Sequence, residues 1–542
     1  QAGNDSLVGG NGNDQLRGDA DNDTLVGDAG NDFITGGTGN DSLVGGEGID
    51  TADYFFSDTN GPITVNLVAG TVSGSQGLDT LVGIENIFSG DFNDTITGDA
   101  NANNIEARGG NDSVLGGAGD DSMFGGTGND TLRGEAGADF ARGNAGSDSL
   151  DGGAVLDRTN YIDGNSLSWS DATGGVVVNM GGITGDGSTG SATAQDGLGG
   201  TDTFVNFQFF TLSPQDDSFV GSAALQFEQV EGGLGNDTLD GGALTDPVLQ
   251  RDGNRLLYQN AAGPVQVDLR AGTASGAAGN DQFVNFNQVR GSGSGDVLKG
   301  SDRSDYAESF DGRGGNDTID GRDGFDLVRY DSANLPVTVD LVGGTAIDGQ
   351  GGTDQLDNIE GAYGGNADDL LIGGTTDGGT DATDISVFEI FRGGRGNDTM
   401  DGGQGWDIAD YVSSTGAVVA KLNDTADGTA SDGFGGTDVL RRIEAVRGGQ
   451  ANDSLTGSDT AALEGFDGRA GNDTLDGLGG TDLVSYRASP AAVNVNLATG
   501  TASDGFGGTD TLRNIEWVRG TVTGNDTITG SALANTLEGF EG

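Results

Sequence analysis

The 542-residue chain contains no cysteine and no histidine. The first absence removes disulfides and thiol chemistry and says nothing about compartment. The second removes the imidazole base on which Ser-His-Asp and Cys-His hydrolases depend, and without either residue type zinc loses its usual ligands. Paired carboxylates are numerous enough to imitate a glycosidase by chance. That chemistry needs a cleft and a raised pKa, whereas an aspartate beside a bound cation is held ionised. The sequence therefore predicts no catalysis within this chain. Lysine is confined to Lys299 and Lys421. No apolar run approaches the roughly 20 residues of a membrane helix, so no membrane span is predicted. Gln1–Asp5 form no signal peptide, and the chain reads as a piece of something longer.

Apolar residues are also scarce, at 33% against 106 glycines, too few to fill several ordinary cores. Asp and Glu number 85 against 24 Lys and Arg, a formal charge of −61. Such a field excludes nucleic acid as a partner and opposes compaction unless cations enter it. Low hydrophobicity with high charge ordinarily means disorder, but here the apolar residues recur at fixed intervals, which disorder does not require.

The interval is nine residues. Gly9-Gly10-Asn11-Gly12-Asn13-Asp14-Gln15-Leu16-Arg17 is one unit, and its sixth position recurs as Asp5, Asp14, Asp23, Asp32, Asp41 and Asp50. The apolar eighth position keeps step as Leu7, Leu16, Leu25, Ile34 and Leu43, each flanked by residues suited to solvent. That is the period-two signature of a very short strand with one buried face. Six residues of glycine-rich turn and three of strand make half a coil, so two units close one turn of a solenoid. The unit returns over 89–160 with Asp94, Asp112, Asp121, Asp130, Asp139 and Asp148, with Asn103 in place of one aspartate and Ala141 and Thr159 as weak apolar positions. It appears again around Asp237, Asp317, Asp398 and Asp473.

This unit resembles the RTX nonapeptide G-G-x-G-x-D-x-U-x, a calcium-binding parallel β-helix repeat. The resemblance implies an all-β fold, a calcium-binding parallel β-roll or β-solenoid with tandem modules, with multiple Ca2+ ions between stacked turns. It makes the sixth-position aspartates metal ligands, adding Asp326, Asp407, Asp482 and Asp526 to those above. Alternate units lie on one side of the coil, so Asp5, Asp23 and Asp41 are expected along one edge and Asp14, Asp32 and Asp50 along the other. A hard cation takes six to eight oxygens, which a tight turn supplies as carbonyls plus a carboxylate; glycine permits the positive φ and close approach such a turn demands. Roughly 20–30 such ions would nearly cancel the formal charge, making folding and metal loading one event.

A longer period overlies the short one. Six copies contain an alternating strand: Ile63/Val65/Leu67, Val176/Val178/Met180, Val265/Val267/Leu269, Val337/Val339/Leu341, Val418/Ala420/Leu422 and Val493/Val495/Leu497. In five copies a tyrosine precedes it (Tyr54, Tyr161, Tyr330, Tyr411, Tyr486), with Tyr258 displaced in the third. A Gly-x-Asp turn follows each strand and carries Asp79, Asp202, Asp281, Asp354, Asp438 or Asp510, all but Asp281 also expected to bind metal. Glu85, Glu360, Glu444 and Glu516 come next, either as calcium ligands or as strand-end hydrogen-bond acceptors. The expected organisation is a nonapeptide block at 1–52 and modules at 53–151, 152–240, 241–320, 321–401, 402–476 and 477–542. Each module is predicted to be a wider coil, its tyrosine in the core and its loops, such as 181–200 and 374–384, forming contact surfaces.

Scarce cytosolic calcium predicts a chain that leaves the cell unfolded and sets outside, by resemblance through type I secretion from a Gram-negative bacterium. Leu537-Glu538-Gly539-Phe540 repeats Leu463-Glu464-Gly465-Phe466, and Gly3-Asn4-Asp5-Ser6-Leu7 resembles Gly471-Asn472-Asp473-Thr474-Leu475, so joining end to start continues the repeat. The sequence thus predicts copies of itself as head-to-tail partners, covalent or stacked, in an extracellular filament, biofilm matrix or surface layer, with cell-surface glycan or neighbouring fibres as further contacts. The alternative is a passive segment of a larger adhesin, toxin or enzyme, aiding export and calcium-triggered folding.

Overall fold

A computed structural model describes residues 3–55, 61–155, 164–185, 187–245, 253–374, 388–423, 426–522 and 524–540. Tyr161 and most of the 374–384 loop lie outside these. All regular structure among the described residues is β, and no helix is long and apolar enough to cross a membrane. The chain divides into two compact units: Gln1–Asp246 with Arg251–Tyr258 and Gly272–Phe286, and Pro247–Gln250 with Gln259–Ala271 and Asn287–Gly542.

In the nonapeptide block of the first unit, strands alternate between two sheets. Ser6–Asn11, Thr24–Ala29 and Ser42–Glu47 pair in parallel in one. Gln15–Ala20, Phe33–Thr38 and Thr51–Asp53 do so in the other. Leu7 pairs with Leu25 and Leu25 with Leu43, while Leu16 pairs with Ile34, so equal residues stack along each sheet. Leu25, Ile34 and Leu43 are fully buried between the sheets. Each such side chain contributes about 1.5–3 kcal/mol. All but Thr51–Asp53 are six residues long rather than the three expected, because the pairing continues through the first three turn positions.

The modules are not wider coils. In the first, Ile63–Asn66, Thr71–Gly74 and Gly77–Val82 form a three-stranded antiparallel insert within the first sheet. Its last strand pairs in parallel with Ser42–Glu47 and its first with Thr95–Thr97. The other sheet gains no such insert, and Thr51–Asp53 pairs directly with Asn86–Phe88. The same insert is built from Val177–Asn179, Ala192–Gln195 and Thr201–Val205 in the first unit. In the second unit it recurs at Thr338–Asp357, Val419–Arg441 and Asn494–Arg513.

Local chemistry explains the reversal. The amide of Ala69 donates 2.8 Å to Asn66 Oδ1 and Gly70 takes φ +63°, which turns the chain back on itself instead of carrying it across to the other sheet. Asp268 with Gly272, Asp340 with Gly344 and Asn496 with Gly500 repeat the device. The alternating residues face inward as expected, Val65, Val178, Val339 and Val495 being buried.

Candidate metal centres

Most sixth-position aspartates take part in a ladder. One carboxylate oxygen accepts the backbone N–H of the aspartate one coil earlier: Asp5 to Asp23 at 2.7 Å, Asp23 to Asp41 and Asp41 to Asp79 at 2.8 Å. The other edge runs Asp14 to Asp32 at 2.8 Å and Asp32 to Asp50 at 2.7 Å. The two predicted edges are therefore present, in the predicted membership. A second pair of ladders runs Asp94–Asp112–Asp130–Asp148–Asp202 and Asn103–Asp121–Asp139–Asn165. Asp237, Asp317, Asp398 and Asp473 are middle rungs that end on Asp281, Asp354, Asp438 and Asp510.

The ladder uses only Oδ1. In Asp14, Asp23, Asp32, Asp41, Asp50, Asp112, Asp121, Asp130, Asp237, Asp317, Asp398 and Asp473 the Oδ2 atom is buried without an N–H or O–H donor. A methyl group placed on Gly9 would lie 2.6 Å from Asp14 Oδ2 and 2.9 Å from the carbonyl oxygen of Gly27. The glycine at the head of each turn thus leaves open a cradle bounded by its own turn's carboxylate and a carbonyl of the turn one coil on; Gly18 and Gly27 repeat it. Among the described residues no three acidic side chains form a metal-holding group, so the donors are a carboxylate with backbone carbonyls. This is the oxygen set of a hard divalent cation. Left to itself the arrangement binds protons: burial, with neighbouring carboxylates adding to it, pushes Asp112 up to about 7 and Asp237, Asp317, Asp398 and Asp473 up to about 8.

The family described as RTX calcium-binding nonapeptide repeat (4 copies) matches residues 1–25, 17–52, 88–123, 124–157, 228–246, 388–411, 466–487 and 521–542. These segments are RTX calcium-binding nonapeptide repeats. No curated protein matches it. RTX nonapeptides bind calcium at multiple sites, and the residues present fit the ion, with Asp Oδ2 and turn carbonyls as its holders. The antiparallel inserts lie outside the matched segments.

The insert aspartates differ from the RTX rungs. Tyr258, Tyr330, Tyr411 and Tyr486 donate 2.8–2.9 Å hydrogen bonds to Oδ2 of Asp281, Asp354, Asp438 and Asp510. Tyr54 lies beside Asp79, whose charge, after burial, raises the phenol, and Trp169 Nε1 donates 2.9 Å to Asp202. The tyrosines are buried, and Tyr258, displaced in sequence, holds the same place as the others. The first rungs after each insert have protein donors on both oxygens: Asp94 accepts from Ile63 and Gly90, and Asp526 from Val493 and Thr521. Asp217, Asp296, Asp369 and Asp453, overlooked in the sequence, behave alike.

On the opposite edge the glutamates replace ladder aspartates. Glu85, Glu360, Glu444 and Glu516 accept the N–H groups of Asp50, Asp326, Asp407 and Asp482 at 2.8–3.2 Å, the same bond that the ladder aspartates make. Asp326 is fully buried, and burial with the charges of Glu308 and Glu360 pushes it up to about 9. A methyl on the neighbouring Gly321 would meet both Asp326 and the carbonyl of Asn358. Where an asparagine stands instead, its amide does what a cation would: Asn165 Nδ2 donates 2.9 Å to the Asn206 carbonyl, Asn254 2.8 Å to Asn285, and Asn103 2.8 Å to Glu85.

Proposed function

We propose that this chain is an extracellular structural protein that calcium sets into a fibre, matrix or surface layer. The observation that carries the reading is the row of buried Oδ2 atoms without donors, repeated through the nonapeptide layers. Bare carboxylates stacked in this way repel one another, and divalent ions convert the repulsion into cohesion. Calcium outside cells is abundant enough to load such turns, and inside them it is not, so export precedes folding. Each layer offers the next the same backbone edge and the same oxygen cradle, which favours head-to-tail association of copies; a heterologous contact of that kind grows without closing.

Electron microscopy and sedimentation in calcium, and again after chelation, test the proposal. Filaments or sheets that form in calcium and dissolve in chelator are the expected result. Folded, calcium-loaded monomers at all concentrations would instead favour a passive segment of a larger secreted adhesin, toxin or enzyme.

A further inference from the structure

Four inserts carry an acid that the RTX pattern does not include: Asp196, Asp348, Asp432 and Asp504, each one residue ahead of the glycine that opens the turn. All four are fully buried at 0% exposure. In Asp432, Oδ1 accepts three successive backbone N–H groups, from Phe434 at 2.8 Å, Gly435 at 2.9 Å and Gly436 at 2.8 Å. The other three repeat this nest. One oxygen is thereby fully used and the orientation of the other is fixed.

That other oxygen, Oδ2, has no N–H or O–H donor in any of the four. A methyl on Gly436 would lie 2.8 Å from Asp432 Oδ2 and would collide with the carbonyl of Gly396, in the last nonapeptide turn before the insert. Gly200 with Gly146, Gly352 with Gly315 and Gly508 with Gly471 show the same convergence. The aspartates closing those nonapeptide turns, Asp148, Asp317, Asp398 and Asp473, also bury an Oδ2 without a donor. The acids are near neighbours: burial raises Asp398, and the charges of Asp438, Asp369 and Asp432 add to it. The buried Oδ2 of Asp432 and the Gly396 carbonyl thus face one space, with the Asp398 carboxylate close by, an arrangement that a cation stabilises and water alone does not.

We infer that Asp196, Asp348, Asp432 and Asp504 are calcium ligands of a second kind, each completing a site with the last nonapeptide aspartate at the seam where the parallel coil meets the antiparallel insert. The inference rests on the calcium loading of the RTX turns. The strand entering the seam turn runs antiparallel to its neighbour, so the carbonyls that a parallel coil would bring are redirected and a carboxylate takes their place. The first insert and the third sequence copy, the one with Val265, Val267 and Leu269, run through Ser75-Gln76 and Ala277-Ala278 at the corresponding place and provide internal controls, having no acid there.

The test is the full chain with Asp196, Asp348, Asp432 and Asp504 all changed to Asn, whose amide oxygen can keep the three N–H bonds. Native mass spectrometry in saturating calcium should count four fewer ions than in the parent. An unchanged count overturns the inference; a parent that binds no calcium overturns the RTX reading and this one with it. If the fourfold variant does not fold, Asp196→Asn alone is read by terbium luminescence sensitised through Trp169, which is bonded to Asp202. The part of the emission that Trp169→Phe abolishes should also vanish in Asp196→Asn. Its persistence there overturns the inference.

Discussion

The hydroxyl of Tyr411 donates a 2.9 Å hydrogen bond to Oδ2 of Asp438, the oxygen that the neighbouring rung Asp398 leaves without a donor. Burial and the charge of Asp438 raise the phenol well above its ordinary pKa, so the proton stays on tyrosine and the bond persists at all working pH values. Tyr411→Phe leaves a buried carboxylate oxygen short of its donor, at a cost of about 1–3 kcal/mol. Urea unfolding in saturating calcium should show that loss, while Tyr363→Phe, at a half-buried position, should show almost none.

Two adjacent glycines separate the ion cradle from backbone strain. Gly9→Ala places its methyl 2.6 Å from Asp14 Oδ2, inside the cradle, whereas Gly10 has φ +101° and open space around it. Native mass spectrometry should find one ion fewer in Gly9→Ala and the full complement in Gly10→Ala, although Gly10→Ala is the more strained backbone.

The metal-free chain should respond to pH in the opposite sense to most acidic proteins. Asp237, Asp317, Asp398 and Asp473 are raised to about 8 and Asp326 to about 9, chiefly by burial. A carboxyl whose folded pKa lies above its unfolded value favours the folded state most when protonated in both, and that advantage is lost as pH rises through the folded value. Compact β structure without calcium is therefore expected near pH 4 and should melt away toward pH 9. Calcium affinity should rise over the same window as protons leave the ligands. Circular dichroism of resin-stripped protein across pH checks the first, and calcium titrations at several pH values check the second.

Asn254 donates 2.8 Å to the Asn285 carbonyl and is buried. Asn254→Asp replaces that donor with an anion facing a carbonyl, as at Asp326. The variant should be destabilised at limiting calcium and should recover, with one additional bound ion, when calcium is saturating. Folding midpoints against free calcium concentration measure both.

The nine-residue count was enough to read the coil, its two edges and the paired rungs, because a register of 18 residues between Asp23 and Asp41 is local and regular. The inserts escaped because alternating Ile63, Val65 and Leu67 specify a buried strand but not its direction, which depends on the Asn66–Gly70 turn. The tyrosine caps escaped for a different reason. Tyr330 and Asp354 are 24 residues apart and Tyr411 and Asp438 are 27 apart, so no fixed spacing announces the pair until the insert folds. Asp432 and its three equivalents lie just outside the nonapeptide template, although the recurring Asp-Gly-x-Gly-Gly-Thr-Asp string was visible in four copies.

The order of strands in an insert has a mechanical consequence. In the first insert the last strand in sequence, Gly77–Val82, lies against the preceding layer, and the first, Ile63–Asn66, lies against the following one. A thread pulled from the C-terminal side peels nonapeptide layers singly, each having one exposed edge. On reaching Gly77–Val82 it meets a strand clamped between Ser42–Glu47 and Thr71–Gly74, which can be withdrawn only by breaking both edges at once. Each insert therefore works as a stopper knot in the fabric, letting the chain ravel as far as the nearest insert and no farther until the load is great enough to release three strands together.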